Sequence, residues 1–545
     1  MRIVRMLVGV VAAVGWICVA QAQISPQTPP SAATDQTLRK QQQMENTEPN
    51  PRIAPQEAPV IGPGFEKAPH LKGKGASFVL QGVTFDPSKF LAPSDLDAIV
   101  KPYIGHTVYF SDLAAILDKI NALYKDKGQI TARAILPPQK VVRGIVHIAL
   151  VEGKVAKVAV TGNVLTSTDF VRDRITLLPG EVVDEPELAR QVVYFNRTND
   201  AQVRALLKPG ATFGETDIDL LVTDPPANVT TLFVDNEGVD SSGRGEGGAF
   251  YRHSDLLMDD DRLTFYGTLS GGGFDGSATY ALPVDTDGDR VSFNYDRNHI
   301  NIINGPFSAL AITGHGQTGS VALTHPLVAT DEWLVTSSLT GLVDTSHTSE
   351  PAGAVTDVTT WRAIAGFSAT YIGSGLLVSV SPNAAYASSD NGILNTTRSI
   401  AIFSGTGAAV ADLGSGWSAH FLAAGQYTPQ SLMPPDLLFQ VGGPTSVRGY
   451  EAGLFAGDSG YYLNAELHDD ITKLENGPVD VYAFGDNGSV FSTHPAVRTL
   501  TSVGAGTSLP PLKNMTLNLL VGVPVEHAVA HQAGCEFYIQ LVARL

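Results

Sequence analysis

Cysteine is nearly missing from this chain: 545 residues hold two, Cys18 and Cys535. Cys18 falls in an apolar N-terminal stretch that reads as a cleaved leader, so the mature chain keeps Cys535 alone. No internal disulfide framework is expected. Long apolar runs are also missing. After residue 22 no stretch approaches the roughly 18 apolar residues that a membrane-crossing helix needs. Positive charge is scarce: 36 Lys and Arg face 54 Asp and Glu, a formal net charge of −18. Loss of the leader's Arg2 and Arg5 takes this to about −20, which disfavours nucleic acid as a partner. A phosphate-cradling loop is absent too. Gly73-Lys-Gly75 lacks the spacing of that motif, so no nucleotide and no cofactor is expected.

What is present begins with a secretory leader. Arg2 and Arg5 precede an apolar run from Met6 to Ala20, and Ala20-Gln21-Ala22 has the small-x-small pattern of a cleavage site. Residues 1–22 therefore read as a signal peptide, with Gln23 as the mature start. Ile17 before Cys18 is not small, which argues against a lipoprotein. Composition then turns to strands: 54 glycines and 43% hydrophobic residues give an apolar balance without apolar runs. Period-2 alternation produces that balance, and it is the weak signature of a membrane β-barrel. Clean alternation runs through Arg262–Ser270, Arg290–Asp296, Trp417–Tyr427 and Met515–Val523. At about 20 residues per strand and connection, residues 226–545 hold about 16 strands. Phe537 to Leu545 ends the chain with Phe537, Ile539, Leu541 and Leu545 on one face.

The N-terminal part is organised differently. Residues 23–75 are rich in Pro, Gln, Ala and Thr and cannot bury a core, so they read as a linker. Residues 76–151 read as strand, helix, helix, strand, strand. Ser94 and Ser111 are candidate caps there, and Leu113, Ile116, Leu117, Ile120 and Tyr124 lie at helical spacing. Residues 152–225 repeat that logic, with Asp184 and Glu187 as a capping-box signal.

One motif pair carries the functional reading. Val447-Arg448-Gly449-Tyr450 precedes a strand in which Tyr461, Leu463, Ala465 and Leu467 alternate with Tyr462, Asn464 and Glu466. Further on stands Phe484-Gly-Asp486-Asn-Gly488, whose carboxylate can receive the guanidinium. Arginine suits such a place because its planar fork holds a carboxylate through two parallel hydrogen bonds. Gly449 would permit a sharp turn, and Tyr450 would pack against a wall. Together the two motifs resemble those of the two-partner secretion transporters of the outer membrane, the ShlB/FhaC/HecB family. The paired units resemble its POTRA domains. Glu152-Gly153 resembles the family's domain junction, and Leu207-Lys-Pro-Gly210 with Gly214-x-Thr-Asp-Ile218 resembles another of its signatures.

The resemblance implies α+β periplasmic POTRA-like domains followed by a transmembrane antiparallel β-barrel of about 16 strands. It implies a loop folded into the lumen and latched by Arg448 and Asp486. It also implies export of an unfolded exoprotein without ATP, client capture at POTRA strand edges, contact with outer-membrane lipids, and insertion by the barrel-assembly machinery. Some members plug the barrel with an N-terminal helix; Thr37 to Glu48 has a poor apolar face, so a plug stays open. An insertase of the BamA/TamA type shares both motifs but usually carries three or more POTRA units, against two here. A passive porin is a third reading.

Four patterns invite enzymatic or metal readings that their contexts oppose. Gly457-Asp458-Ser459-Gly460 looks like a serine-protease nucleophile segment, but no histidine segment precedes it. Asp285-Thr-Asp-Gly-Asp289 with Asp296 mimics a calcium loop, yet Arg290 stands where that loop needs Gly, so a hairpin turn is expected. His527 and His531 lie between strands, where their spacing does not bring imidazoles together. No catalytic constellation and no metal site is expected.

Overall fold

The computed structural model describes Lys40, residues 59–62, 77–305, 307–491, 497–530 and 532–545. The signal peptide, Gly73-Lys-Gly75, His531 and all of Thr37 to Glu48 except Lys40 lie outside the described residues. The chain forms two compact units, Ala54–Pro225 and Pro226–Leu545, the second grouped with the first 53 residues.

The larger unit is a closed antiparallel barrel of 16 strands. Each strand pairs with its neighbours in sequence. Closure comes where Asn228–Asp235 meets Glu536–Arg544, with Leu232 opposite Ala543 and Val234 opposite Leu541. Closing the sheet removes both edges, which an open sheet would leave as unpaired backbone. The alternation follows the sequence: Leu463 and Leu467 are exposed, while Tyr462 is buried and Glu466 half-buried on the opposite face. Phe421, Phe537 and Ile539 are likewise exposed on their strands. Large apolar side chains outside and polar ones inside are the pattern that a lipid-embedded barrel requires. Asp285 accepts hydrogen bonds from the N–H groups of Asp287 and Asp289, both at 3.0 Å, and forms the expected turn before Arg290–Asn301.

One connection departs from short hairpin geometry. Trp417–Tyr427 pairs with Ser459–Leu474, and the residues between them form a long loop carrying its own hairpin, Phe439–Val441 against Phe455–Gly457. A loop in water would expose its apolar residues. Here Phe439, Val441, Val447 and Tyr450 are buried and pack with Tyr462, Val490 and Leu500 of the barrel strands. A second buried cluster joins Met433 and Leu437 of the loop to Ala387, Ile400 and Ile402.

The smaller unit contains two α/β modules. In the first, Ile145–Val151 lies between Gly82–Phe85, parallel, and Arg133–Ile135, antiparallel. Helix Phe110–Asp126 buries Leu113, Ile116, Ile120 and Tyr124 on one face. Two caps differ from expectation. The first helix starts at Pro93, after Ala92, because proline has no N–H to satisfy at a helix start. The second starts at Phe110, and Asp112 accepts the Tyr109 N–H at 2.7 Å. In the second module, Asp184 caps helix Glu185–Thr198 by accepting from Glu187 N–H at 3.2 Å. The Glu187 carboxylate turns instead to Arg190 and Gln191.

The sheet of the second module runs in the order Val60–Ile61, Gln202–Pro209, Glu215–Thr223, Lys154–Thr161. Val60–Ile61 comes from the stretch that reads as linker, and it adds a parallel edge strand. At the joint of the modules, the Glu185 carboxylate accepts from the Thr131 N–H at 2.7 Å.

Candidate functional site in the barrel lumen

The site is assembled by two adjacent strands and the buried loop. Ser459–Leu474 and Gly477–Phe491 pair so that Asn464 stands opposite Asp486, Glu466 opposite Phe484 and Tyr462 opposite Gly488. Alternation sends one face of both strands inward, which lines up Glu466, Phe484, Asp486 and His468. The loop delivers Arg448 to that face.

Arg448 and Asp486 are 7% and 2% exposed. Arg448 Nε donates to Asp486 Oδ2 at 2.8 Å and Nη2 to Oδ1 at 2.7 Å, a two-pronged pairing. Its backbone N–H also donates to Oδ2, at 3.0 Å, so one carboxylate fixes side chain and main chain together. The remaining guanidinium nitrogen, Nη1, pairs with Glu466. The guanidinium lies 3.6 Å from the centroid of the Phe484 ring, a cation–π arrangement. Burial makes each contact matter, because a charge withdrawn from water must be compensated by geometry.

The other motif residues meet the same wall. Gly449 has φ +88°, and a Cβ there would lie 2.8 Å from the Gly522 carbonyl carbon, so a side chain faces both strain and backbone. Its N–H donates to Tyr538 Oη at 3.2 Å. The Tyr450 hydroxyl lies 2.8 Å from the Thr501 carbonyl and 3.0 Å from that of Glu526. Val447 packs over Gly488, where a Cβ would sit 2.7 Å from Val447 Cγ2. The structure thus brings Val447, Arg448, Gly449, Tyr450, Phe484, Asp486 and Gly488 into one cluster.

Sequence reasoning did not single out several neighbours. His468 faces Glu466 through Nε2 at 2.9 Å and Asp480 through Nδ1 at 2.8 Å. Only the doubly protonated ring donates to both. His420 stacks on His468 with centroids 4.0 Å apart. His420, Glu466 and His468 place ligand-type atoms within 4.8 Å of one another. Both His468 ring nitrogens, however, are already engaged by the Glu466 and Asp480 carboxylates. Elsewhere on the wall, Lys40 sits among Asp235 at 2.5 Å, Glu237 at 3.9 Å and Glu246. The strand alternation already placed Glu466 on the polar face. Nothing local marks Lys40, whose partners lie about two hundred residues away in sequence.

The protease-like segment has a different occupation. Asp458 accepts from the N–H groups of Leu432 and Met433 at 2.9 and 2.8 Å, and Ser459 Oγ accepts from Thr428 N–H at 3.1 Å. These residues tie both ends of the long loop together.

The family model "POTRA domain, ShlB-type" matches residues 78–153. The model "Haemolysin secretion/activation protein ShlB/FhaC/HecB" matches residues 387–509, which span both lumen motifs. Over those residues the chain is similar to the ShlB/FhaC/HecB family. Its similarity extends beyond those segments. The heme/hemopexin transporter protein HuxB of Haemophilus influenzae is 22% identical over 475 residues, covering 82% of this chain and 83% of that protein. CdiB from Escherichia coli superposes with a TM-score of 0.67 at 18% identity, covering 96% of this chain and all of that one. BamA from Haemophilus ducreyi lacking POTRA domains 1–3 superposes less well, with a TM-score of 0.52 at 15% identity over 86% of this chain. These similarities place the barrel in the outer membrane and the POTRA-type region in the periplasm.

Proposed function

We propose that this protein secretes an unfolded partner exoprotein across the outer membrane through its barrel, and that Arg448 and Asp486 latch the loop that occupies the lumen. The observation that carries this reading is the buried loop itself. A closed barrel whose lumen loop is pinned by a two-pronged ion pair suits a channel that opens for a substrate better than one that stands open. The client reaches the POTRA-type modules in the periplasm and adds an extended segment to a strand edge. It then threads the lumen as the loop shifts, and folds outside. Folding at the surface biases diffusion outward, so no ATP is consumed. The client is of adhesin or haemolysin type. The barrel's apolar exterior contacts outer-membrane lipids, and its own insertion depends on the barrel-assembly machinery.

An insertase of the BamA type is the second reading, favoured by the shared barrel fold. The two POTRA-type modules of this chain argue for the transporter. Export of a candidate exoprotein decides between them, assayed in cells with the intact protein, with Arg448→Ala, or with none, and with barrel abundance measured in parallel. Export that requires the protein and falls in the variant at constant abundance supports the transporter and its latch. Indifferent export with failed assembly of other barrels supports the insertase.

A further inference from the structure

Two neighbouring strands gather metal-type donors on the lumen wall beside the latch. Glu466 and His468 stand two residues apart on Ser459–Leu474, so alternation turns both side chains to the same face. His420, on Trp417–Tyr427, pairs directly with Glu466 in the antiparallel register, and Ser418 pairs with His468. Directly opposed residues of such a pair carry their Cβ atoms about 4.5–5.5 Å apart. The three side chains therefore meet over one spot of the sheet, half-buried, with ligand-type atoms within 4.8 Å of one another.

Their surroundings are those of a metal ligand set. A histidine that binds a metal through one ring nitrogen is held at the other, most often by a carboxylate. Asp480 lies 2.8 Å from His468 Nδ1 and leaves Nε2 directed at Glu466 Oε2, 2.9 Å away. Ser418 Oγ, 3.0 Å from His420 Nε2, steadies the second ring. Tyr482 also stacks on His468, with centroids 4.7 Å apart. His420 and Glu466 line a lumen cavity of about 530 Å³, which gives an ion a route in and water room to complete its shell. Ligands about 2.0–2.1 Å from a tetrahedral zinc ion stand roughly 3.4 Å from one another. Glu466 and His468 are already closer than that, and the 4.8 Å limit on the whole set asks for shifts of at most about 1.4 Å. The hydrogen bond between His468 Nε2 and Glu466 does not oppose ligation. A metal ion takes the place of its proton, which leaves to solvent, and draws on both of its partners.

We propose that His420, Glu466 and His468 form a binding site for a divalent transition-metal ion of the zinc class, with Asp480 as the partner that orients His468. Two imidazoles and one carboxylate suit zinc and its neighbours, whereas calcium and magnesium take oxygen ligands. The site shares Glu466 with the latch, because one carboxylate oxygen pairs with Arg448 while the other faces His468. Arg448 and a bound ion are both positive and draw on one carboxylate, so each weakens the hold of the other.

The test titrates zinc into the purified full-length protein in detergent by calorimetry, with cobalt as a second probe whose visible absorption reports the ligand geometry. Heat-modifiable migration on a gel checks that each variant keeps a folded barrel. The parent is expected to bind zinc at one ion per chain. His420→Gln and His468→Gln are each expected to weaken binding at least about 100-fold, and Asp480→Asn, which touches no ion, by about 10- to 100-fold. Arg448→Ala is expected to tighten binding about fivefold or more, a gain that a misfolded barrel would not show. Failure of the parent to bind zinc stoichiometrically overturns the proposal. Binding that survives the loss of His420 and His468 also overturns it, since the ion then sits elsewhere. Unchanged or weaker binding in Arg448→Ala overturns the shared use of Glu466.

Discussion

Replacing Arg448 by Ala removes two side-chain hydrogen bonds to Asp486, the ion pair to Glu466 and the stacking on Phe484. The backbone N–H bond to Asp486 survives the change, since alanine keeps it. Asp486 is then left almost fully buried with one donor in place of three. Removing one partner of a buried pair costs about 3–5 kcal/mol. With each 1.4 kcal/mol worth about tenfold, the balance between docked and released loop shifts by about 140- to 3,700-fold. The barrel's backbone ladder does not involve Arg448, so its melting temperature stays near that of the parent. Loop release is read by maleimide labelling of a Thr445→Cys probe, a buried position just before the motif, in a Cys535→Ser background. Where docking is fast compared with labelling, the rate follows the released population and is expected to rise about 100-fold or more. Asp486→Asn keeps the shape and leaves Arg448 paired with Glu466, so its rise is expected to be smaller. Labelling within about threefold of the parent in Arg448→Ala would refute the latch, because the ion pair would then contribute less than about 1 kcal/mol to docking.

Three further outcomes are expected. Gly449→Ala places a Cβ against the Gly522 backbone at a left-handed φ, and the same labelling assay is expected to report a released loop although no charge has changed. Burial raises the Glu185 carboxyl above its ordinary value of 4.5, an effect only partly offset by the hydrogen bond from Thr131. A raised carboxyl favours the folded joint at and below 4.5 and loses that contribution as pH climbs through the folded-state pKa. Glu185→Gln should therefore protect the module joint from proteolysis at neutral pH and make little difference in acid. Lys40→Gln strips Asp235, Glu237 and Glu246 of a shared cation. The purified barrel should then melt at a lower temperature, with Lys40→Arg restoring most of the loss.

Much of this architecture can be read in the sequence for a simple reason. A barrel strand faces lipid on one side and water on the other, so strict alternation at Ser459–Leu474 and Glu536–Arg544 is written residue by residue. Arg448 and Asp486 stand out because charges in apolar surroundings need partners. The failures are equally physical. Val60–Ile61 is hidden by proline-rich surroundings, since its pairing is decided by a distant edge rather than by local pattern. Gln202–Pro209 is not among the strands expected from the sequence, yet it alternates inward and outward until its Lys-Pro end. Helix starts at Pro93 and Phe110 were set by backbone geometry and by Asp112, where serine chemistry pointed to Ser94 and Ser111. Lys40 carries no local mark because its partners lie about two hundred residues away, and His468 gains its second carboxylate only when the hairpin pairs and sets Asp480 beside it.

The central claim, that this chain alone moves an unfolded exoprotein across a membrane without nucleotide, is tested most directly in vesicles. Purified transporter would be inserted into lipid vesicles, and denatured exoprotein diluted onto them in buffer without ATP. The account predicts that exoprotein accumulates inside, protected from added protease until detergent is supplied, and that Arg448→Ala reduces the yield at equal barrel content. Exoprotein that stays fully digestible in vesicles with correctly inserted barrels would contradict it.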